Sequence, residues 1–282
     1  DLEEEGMPVC IVQKSDGGYN YSTTDLATVK SRQNEFSPEK IIYVTDERQQ
    51  LHFKQFFKVS EKLGLNAKLI HVWFGLMRLP DATFSTREGN VIKLVHLLDE
   101  AEKRALEIIK TNKKSRSNKE DLELAKAIGI GAIKYTDLSH NPQSLITFSW
   151  EKALNLNGNS APYLQYAYAR IASVCDKYFQ KYGSESFKLS KIHINHDIER
   201  KLALKLTKFG SVVSEAAEQY KPNILTDYLF ELSQIYSNFY QNLPFLKAED
   251  ELRDSRIRLC SITAKILKTG LNLLGIQAPE RI

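Results

Sequence analysis

A cluster of hydroxyl, aromatic and acidic side chains marks the start of one predicted helix. The stretch YNYSTTDLA, residues 19–27, runs through three hydroxyl residues to Asp25 and then into an apolar segment. Thr24 or Asp25 can cap this helix, and a carboxylate in a first turn suits the helix dipole. Alternatively, Asp25 grips a cationic group, with the ring of Tyr21 as a cation–π or hydrogen-bonding wall. The stretch is therefore either a helix cap or a pocket for a cation.

A second polar cluster follows the apolar run IIYVT. Asp46 or Thr45 is expected to cap the next helix, and Gln49 stands three residues after Asp46, as in a capping box. Gln49 belongs either to that cap or to a ligand site in which its amide orients a polar group. His52 lies one turn further on, and we expect this lone helical histidine to be structural.

The third candidate is the loop FSTREGN, which contains Thr86, Arg87 and Gly89. It is not a Walker loop, because the glycines and the Gly-Lys-Ser/Thr ending are missing. Arginine still offers a forked, permanently charged donor, and glycine permits close backbone approach, so the loop can hold phosphate. The alternative is an ordinary surface turn. The sequence offers no Ser-His-Asp set, metal-ligand spacing or pair of carboxylates from which to argue hydrolysis.

Alternating strands and helices must position these clusters. We predict strands at Val9–Gln13, at Ile41–Thr45 and in AKLIHVWFG, with one helix stopped by Pro38 and the next ending at Gly64. This order is typical of βαβ units in a parallel sheet, where ligands bind beyond the carboxyl ends of the strands. All three clusters are therefore expected at one crevice. Only three or four strands can be found, so part of the sheet is expected to be missing or supplied elsewhere.

The remainder of the chain is predicted to be helical. Apolar residues at three- and four-residue spacing predict helices over about 121–138, 160–182, 197–219, 224–243 and 254–274. Residues 1–158 carry 22 Lys+Arg and 22 Asp+Glu, whereas residues 159–282 carry 17 and 13. The whole basic excess lies in the helical part, which fits an RNA-facing domain.

Composition indicates a globular, cytoplasmic protein. The 282 residues are 42% hydrophobic and 26% charged, and no run approaches the roughly 20 apolar residues of a membrane helix. The three cysteines are far apart and are expected to be reduced. The sequence starts without a methionine or a signal peptide, which favours an excised or processed chain.

Several segments, in order and spacing, resemble the arginyl-tRNA synthetases, which are class I aminoacyl-tRNA synthetases. They are KSDGGYNYSTTDLA, IIYVTDERQQLHFKQFF, HVWFGLM, FSTREGNVIKL, LLDEAEKRA, AKAIGIGAIKYTDLS, GNSAPYLQYAYARI and GLNLLGIQAPERI. The resemblance runs nearly end to end. No string like the family's HIGH signature exists, so the chain resembles the C-terminal half of the enzyme, without its N-terminal domain.

The resemblance implies a role for each catalytic-half residue. Tyr21 and Asp25 would hold the guanidinium of substrate arginine, and Gln49 would face the amino acid. The residues at the end of the following strand would border ATP, namely His71, Phe74, Gly75 and Met77. The STREG loop stands where the family carries its KMSKS loop. Thr86 and Arg87 would be catalytic, Arg87 and Gly89 would contact ATP, and Arg87 would stabilise charge on the triphosphate.

The helical half resembles the family's anticodon-binding domain. The resemblance implies tRNA contacts by five residues: Tyr163, Gln165, Tyr168, Arg170 and Arg281. Exposed aromatic and arginine side chains suit splayed single-stranded bases. The alternative is that the tyrosines form the core stripe of a helix, and that Tyr166 or Tyr168 is wholly buried.

The resemblance implies an α/β segment followed by an all-α segment. The expected division is the second half of a Rossmann-type catalytic domain over 1–115, a helical connector over 116–158 and a helical-bundle anticodon-binding domain over 159–282. The implied reaction is ATP-dependent activation of L-arginine and its transfer to tRNA(Arg), with Mg²⁺ as counter-ion of ATP, no protein-bound metal and a monomeric parent enzyme. We expect the isolated chain to be inactive in aminoacylation. The alternative is a stand-alone, non-catalytic tRNA-binding module.

Overall fold

The structure is a computed structural model that describes residues 2–78, 93–111, 116–183, 187, 191–245 and 248–282. The chain divides into two compact units. The first unit comprises residues up to 76 together with 142–145, and the second comprises 77–141 and 146–282. Along the described part of the chain, no helix combines the length and apolar character needed to cross a bilayer.

The first unit contains two βα repeats. Its elements are α1 (Tyr21–Phe36), β1 (Lys40–Asp46), α2 (Gln50–Lys62) and β2 (Lys68–Phe74). The two strands are parallel, with Lys40 opposite Lys68 and Asp46 opposite Phe74. Both carboxyl ends therefore lie at one edge, as the sequence predicts. The helices cover one face of the sheet through a core of Leu26, Val29, Ile41, Phe53 and Phe56.

The prediction of a strand at Val9–Gln13 is wrong. The segment forms a single antiparallel bridge from Gln13 to Tyr19, and Val9 and Ile11 are exposed. Within the described residues the sheet of this unit has two strands, fewer than the three or four expected. An apolar alternating run becomes a strand only where a neighbouring strand pairs with its backbone, and the adjacent sequence does not reveal that partner.

The caps differ in part from those expected. Asn20, and not Thr24 or Asp25, caps α1: its side chain accepts from the backbone N–H of Thr23. Asp46 does act as a cap, because it accepts from the N–H of Arg48 at 2.9 Å and starts a short 3₁₀ turn over Glu47–Gln49. At the end of α2, Gly64 adopts the left-handed conformation that a helix stop requires. Asp25 is thus not needed as a cap.

The second unit is predominantly helical. A pair of parallel two-residue strands, β3 (Met77–Arg78) and β4 (Ile146–Thr147), accompanies eight helices within the described ranges. The helices are α3 (Leu94–Thr111), α4 (Asn118–Leu138), α5 (Trp150–Ala153), α6 (Ala161–Tyr182), α7 (Asp197–Thr207), α8 (Phe209–Gln219), α9 (Pro222–Asn242) and α10 (Asp250–Leu273). The helix predicted over 197–219 is divided at Lys208, and the other four are confirmed to within a few residues.

Close helix packing builds this unit. At Gly129 of α4, a Cβ atom would lie 2.6 Å from the backbone of Ala101, so only glycine allows α3 to approach so closely. The largest core joins α6, α7, α9 and α10 through buried leucines and aromatic residues, among them Leu164, Leu202, Leu229, Tyr236, Phe239 and Leu267. The surface of α6 is held in place by this core.

Candidate functional site

A hydrogen-bonded carboxylate lies where α1 and α2 begin. Asp25, in the second turn of α1, accepts a hydrogen bond at Oδ2 from His52 Nε2 at 2.6 Å. Because a carboxylate has no proton to donate at neutral pH, Nε2 carries the hydrogen. His52 lies in the first turn of α2, and its ring packs on Phe53 and Phe56 with centroid distances of 5.3 and 5.6 Å. His52 is therefore the hydrogen-bond partner of Asp25, which is a candidate ligand-binding residue. The sequence around His52 did not indicate this pairing.

The other predicted amino-acid-facing residues surround this pair in the sequence and are open to solvent. Tyr21 is the first residue of α1 and is 86% exposed. Gln49 ends the 3₁₀ turn immediately before α2, is exposed, and makes no side-chain capping bond to α2. Both side chains are available to a ligand. The neighbouring Asp46 is engaged by Arg48 at 2.7 Å, and this contact holds the pKa of the Asp46 carboxyl below its usual range.

His71 lies near the same pair on strand β2. Its Nε2 is 2.7 Å from Thr45 Oγ1 on β1, and its ring stacks on Phe53 with the centroids 4.2 Å apart. Burial lowers the pKa of His71, and the nearby His52 lowers it further. At neutral pH His71 is consequently an uncharged hydrogen-bonding group.

The end of β2 has an exposed ring beside a tightly enclosed backbone. Phe74 is 43% exposed. The N–H of Gly75 donates to the carbonyl of Pro142 at 2.8 Å, and a Cβ at Gly75 would lie 2.5 Å from the carbonyl oxygen of Ser144. Only glycine fits there. Met77 belongs to the second unit and packs half-buried against its smaller core.

The predicted phosphate loop FSTREGN falls within a part of the chain that the structure does not describe. Thr86, Arg87 and Gly89 lie outside the described residues. Among the residues that are described, no three His, Cys, Asp or Glu side chains group as metal ligands would.

A groove of about 880 Å³ runs along one side of α6 in the second unit. Arg170 lies over the ring of Tyr166 on α6 at 4.7 Å and over the ring of Tyr240 on α9 at 5.7 Å. Two aromatic rings thus hold one guanidinium on the groove wall. Such a platform suits stacking of flat, electron-rich groups such as nucleobases.

The five residues predicted to contact tRNA occupy different places. Arg170 and Arg281 line the groove. Gln165 is 0% exposed and donates to the carbonyls of Ala127 and Gln277 at 3.1 and 2.8 Å. Tyr168 is buried too, whereas Tyr163 is half-buried and packs edge-on against Phe230. Burial of Tyr168 matches the core-stripe alternative for the tyrosines, whereas Tyr166 is 38% exposed.

Sequence reasoning missed groove residues that helical spacing could have identified. The missed residues Tyr166, Ser173 and Lys177 share one face of α6 with the predicted contact Arg170, at spacings of three and four residues, and all four line the groove. Tyr240 is 70 positions beyond Arg170 and had no local signal. The lining is electrically balanced, with four basic residues (Arg116, Arg170, Lys177, Arg281) and four acidic ones (Glu120, Glu123, Asp176, Glu280). The formal charges of the lining side chains therefore cancel.

Sequence comparisons give two family matches. The family of class I tRNA synthetases (R), catalytic domain, matches residues 1–150, and the DALR anticodon binding domain matches residues 164–282. An arginine–tRNA ligase of Fusobacterium nucleatum is 46% identical over 277 residues, covering 97% of this chain and 48% of the relative. One from Synechocystis is also 46% identical, over 283 residues, with 96% and 48% covered. The chain spans about half the length of the curated relatives it matches.

Comparison with solved structures gives the same family as the sequence comparisons. Arginyl-tRNA synthetase from Plasmodium falciparum superposes with a TM-score of 0.82 at 31% identity, covering 96% of this chain and 46% of that one. The Thermus thermophilus arginyl-tRNA synthetase gives 0.80 at 25% identity, covering 97% and 51%. The predicted fold class, a class I catalytic fragment followed by a helical anticodon-binding domain, is confirmed. This chain belongs to the arginine family of class I tRNA synthetases.

Proposed function

We propose that the chain supplies the arginine-facing and anticodon-facing parts of an arginine–tRNA ligase. The reaction is ATP-dependent activation of L-arginine followed by transfer of the arginyl group to tRNA(Arg), in the cytoplasm and by a monomeric enzyme. The single observation that carries the proposal is the Asp25 carboxylate, held by His52 at the start of two helices inside the matched catalytic segment. That carboxylate is a suitable acceptor for a cationic side chain.

The arginine site is built from three residues. Asp25 Oδ1 accepts no hydrogen bond from the described residues and is available to the two parallel N–H groups of a guanidinium. The exposed ring of Tyr21 can cover the cation, and the Gln49 amide can orient the polar end of the amino acid. Together they select for charge, shape and length.

The ATP end is proposed at the carboxyl edge of β2 and in the following loop. His71, Phe74, Gly75 and Met77 border the adenosine, and Gly75 is held against the carbonyl of Ser144. Thr86, Arg87 and Gly89 contact the triphosphate. The carboxylate of arginine attacks the α-phosphate and pyrophosphate leaves, and Arg87 stabilises the charge that develops. Mg²⁺ enters with ATP as its counter-ion.

Transfer then needs tRNA held by the helical part. A hydroxyl at the acceptor end of tRNA attacks the arginyl carbonyl, and AMP leaves. We propose that the anticodon loop lies in the groove, where bases stack on Tyr166, Arg170 and Tyr240. Arg281 lies on the same groove, and Tyr163 stays a proposed contact at the exposed part of its ring. Gln165 and Tyr168, being buried, support the groove from beneath.

The proposed division of labour follows the chain. Residues 1–115 serve catalysis, 116–158 connect, and 159–282 read the anticodon. Residues 1–282 alone are proposed not to charge tRNA, because the sequence has no HIGH-like string for the ATP phosphates. The alternative function, a tRNA-binding module, is favoured by one observation: every residue lining the groove belongs to the second unit.

The test compares L-arginine with L-citrulline in charging of tRNA(Arg) by the whole protein that carries this chain. Citrulline has the same length and a neutral urea in place of the guanidinium. We expect arginine to be preferred at least about 100-fold in kcat/KM, since a site built around a charged hydrogen bond rejects the neutral analogue. Asp25→Asn should reduce arginine use by a similar factor and shrink that preference.

Two results would count against the proposal in different ways. Equal use of both amino acids would remove the charge-selecting role of Asp25. Binding of tRNA(Arg) in preference to an anticodon-swapped tRNA, without any charging by the whole protein, would establish the module instead.

A further inference from the structure

We infer that His52 is a positioning residue for arginine recognition: it fixes the Asp25 carboxylate so that the free oxygen faces the guanidinium. This inference rests on the proposed function, because it assigns a role within the same amino-acid site. His52 itself does not touch the substrate. It acts through the hydrogen bond from its Nε2 to Asp25 Oδ2.

The imidazole ring of His52 is held in an orientation that directs its Nε2 hydrogen towards Asp25. Its ring packs against two phenylalanines of the same helix, Phe53 and Phe56, which restrict its rotation. The side chain is 28% exposed and that of Asp25 is 34% exposed, so the pair is shielded on one side and reachable on the other. A 2.6 Å bond in such a place is stronger than the same bond in open water.

The bond also joins the two helix starts that carry the proposed ligands. Tyr21 and Asp25 are in the first two turns of α1, while Gln49 directly precedes α2. His52, in the first turn of α2, donates to Asp25 of α1 and so connects these two helix starts. Recognition of a planar guanidinium requires the carboxylate plane to be fixed, and holding one oxygen fixes it.

Of the charged and titratable groups described near the pair, His52 is the one that holds the Asp25 carboxylate. Among the described residues, His52 is the hydrogen-bond partner of the Asp25 carboxylate. The ring of His71 is stacked on Phe53, and its Nε2 is hydrogen-bonded to Thr45. Arg32, an exposed residue of α1, lies over the ring of Tyr43 at 5.9 Å. None of these groups replaces the His52 donor.

The experiment uses two amides of different reach at position 52 in the whole protein. In His52→Gln the amide nitrogen takes the place of Nε2, whereas in His52→Asn it ends near the position of Nδ1 and cannot reach Asp25. We expect His52→Asn to raise the KM for arginine about tenfold, the effect of losing a hydrogen bond to a charged group. His52→Gln should stay within about threefold of the unaltered protein. The KM values for ATP and tRNA should not change in either variant.

A matched control is Gln55→Leu on the same helix. Gln55 also makes one hydrogen bond, to the carbonyl of Pro8 at 2.8 Å, but has no contact with Asp25. This variant should leave the KM for arginine unchanged. Thermal midpoints of all three variants separate loss of folding from loss of recognition.

The outcomes distinguish this inference from the function on which it rests. If the unaltered protein shows no preference for arginine, the proposed function fails, whatever position 52 does. If it prefers arginine but both amides give the same KM for arginine, the inference is overturned. Unfolding of both variants, or equal increases in every KM, would also overturn the inference. The hydrogen bond from His52 to Asp25 would then only stabilise the packing of α1 and α2.

Discussion

The start of α1 in the first unit and the middle of α6 in the second unit carry similar side chains in different environments. Both present tyrosines beside a charged residue. At the start of α1, Tyr21 and Asp25 lie at the end of an element, exposed or half-buried. Along α6, Tyr166 and Arg170 face a groove, while Gln165 and Tyr168 on the opposite side are buried. Residue type alone therefore does not separate ligand contacts from core.

The comparison shows which further information is needed. A polar residue at a helix start is free for a ligand only if another group already caps the helix. In α1 that cap is Asn20. Within a helix, one asks which face a residue occupies, since residues three and four apart share a face. A position one residue away from a groove contact, such as Gln165 beside Tyr166, belongs to the interior. Substitutions should therefore affect ligand binding on one face and stability on the other.

The largest effect is expected at the interior face. Gln165→Leu should lower the free energy of unfolding by about 1–3 kcal/mol, because the buried carbonyl of Ala127 loses this donor and the bond to the carbonyl of Gln277 is lost as well. Urea unfolding measures this. Ser173→Ala, at an exposed groove position of the same helix, is the control and should stay within about 0.5 kcal/mol. Equal stability of the two variants would contradict the division of α6 into two faces.

Substitutions on the groove face of α6 should change the affinity for tRNA. Arg170→Ala removes the guanidinium held between Tyr166 and Tyr240, so affinity for tRNA(Arg) should fall about tenfold at physiological salt. A tRNA titration of the whole protein checks this. Arg200→Ala removes an exposed arginine on α7 that does not line the groove, and it should change affinity by less than about twofold. If both arginines mattered equally, binding would depend on overall charge.

The fold was predictable where local patterns suffice. The β-branched run Ile41–Thr45 and the apolar-periodic segments appear as β1 and as helices, and Gly64 ends α2 as expected. The failures have physical causes. Val9–Gln13 has strand-forming residues but no ladder within the described residues, and the helix over 197–219 breaks at Lys208. Strand formation depends on a partner that is remote in sequence.

The candidate site was predictable in its ingredients and not in its pairings. The polar residues after β1 and in the first two turns of α1 were chosen from the sequence, and they lie near element ends in the structure. The bond from His52 to Asp25 spans 27 positions, and the contact of Arg170 with Tyr240 spans 70. No periodicity predicts such contacts, because they depend on how helices pack.

The smallest effect concerns the first unit and its neutral histidine. The pKa of His71 is lowered in the folded protein, mainly by burial and then by His52, from an ordinary value of about 6.5. The unfolded chain therefore binds a proton at this residue more readily, so folding stability falls as the pH drops through about 6.5 and continues to fall down to the lowered pKa.

His71→Gln keeps an amide near Thr45 Oγ1 without a titrating group. Urea midpoints of the whole protein at pH 7.5 and 5.5 should differ less for His71→Gln than for the unaltered protein. An undiminished difference would show that His71 takes up its proton equally well in the folded state, contrary to the lowered pKa that its burial causes.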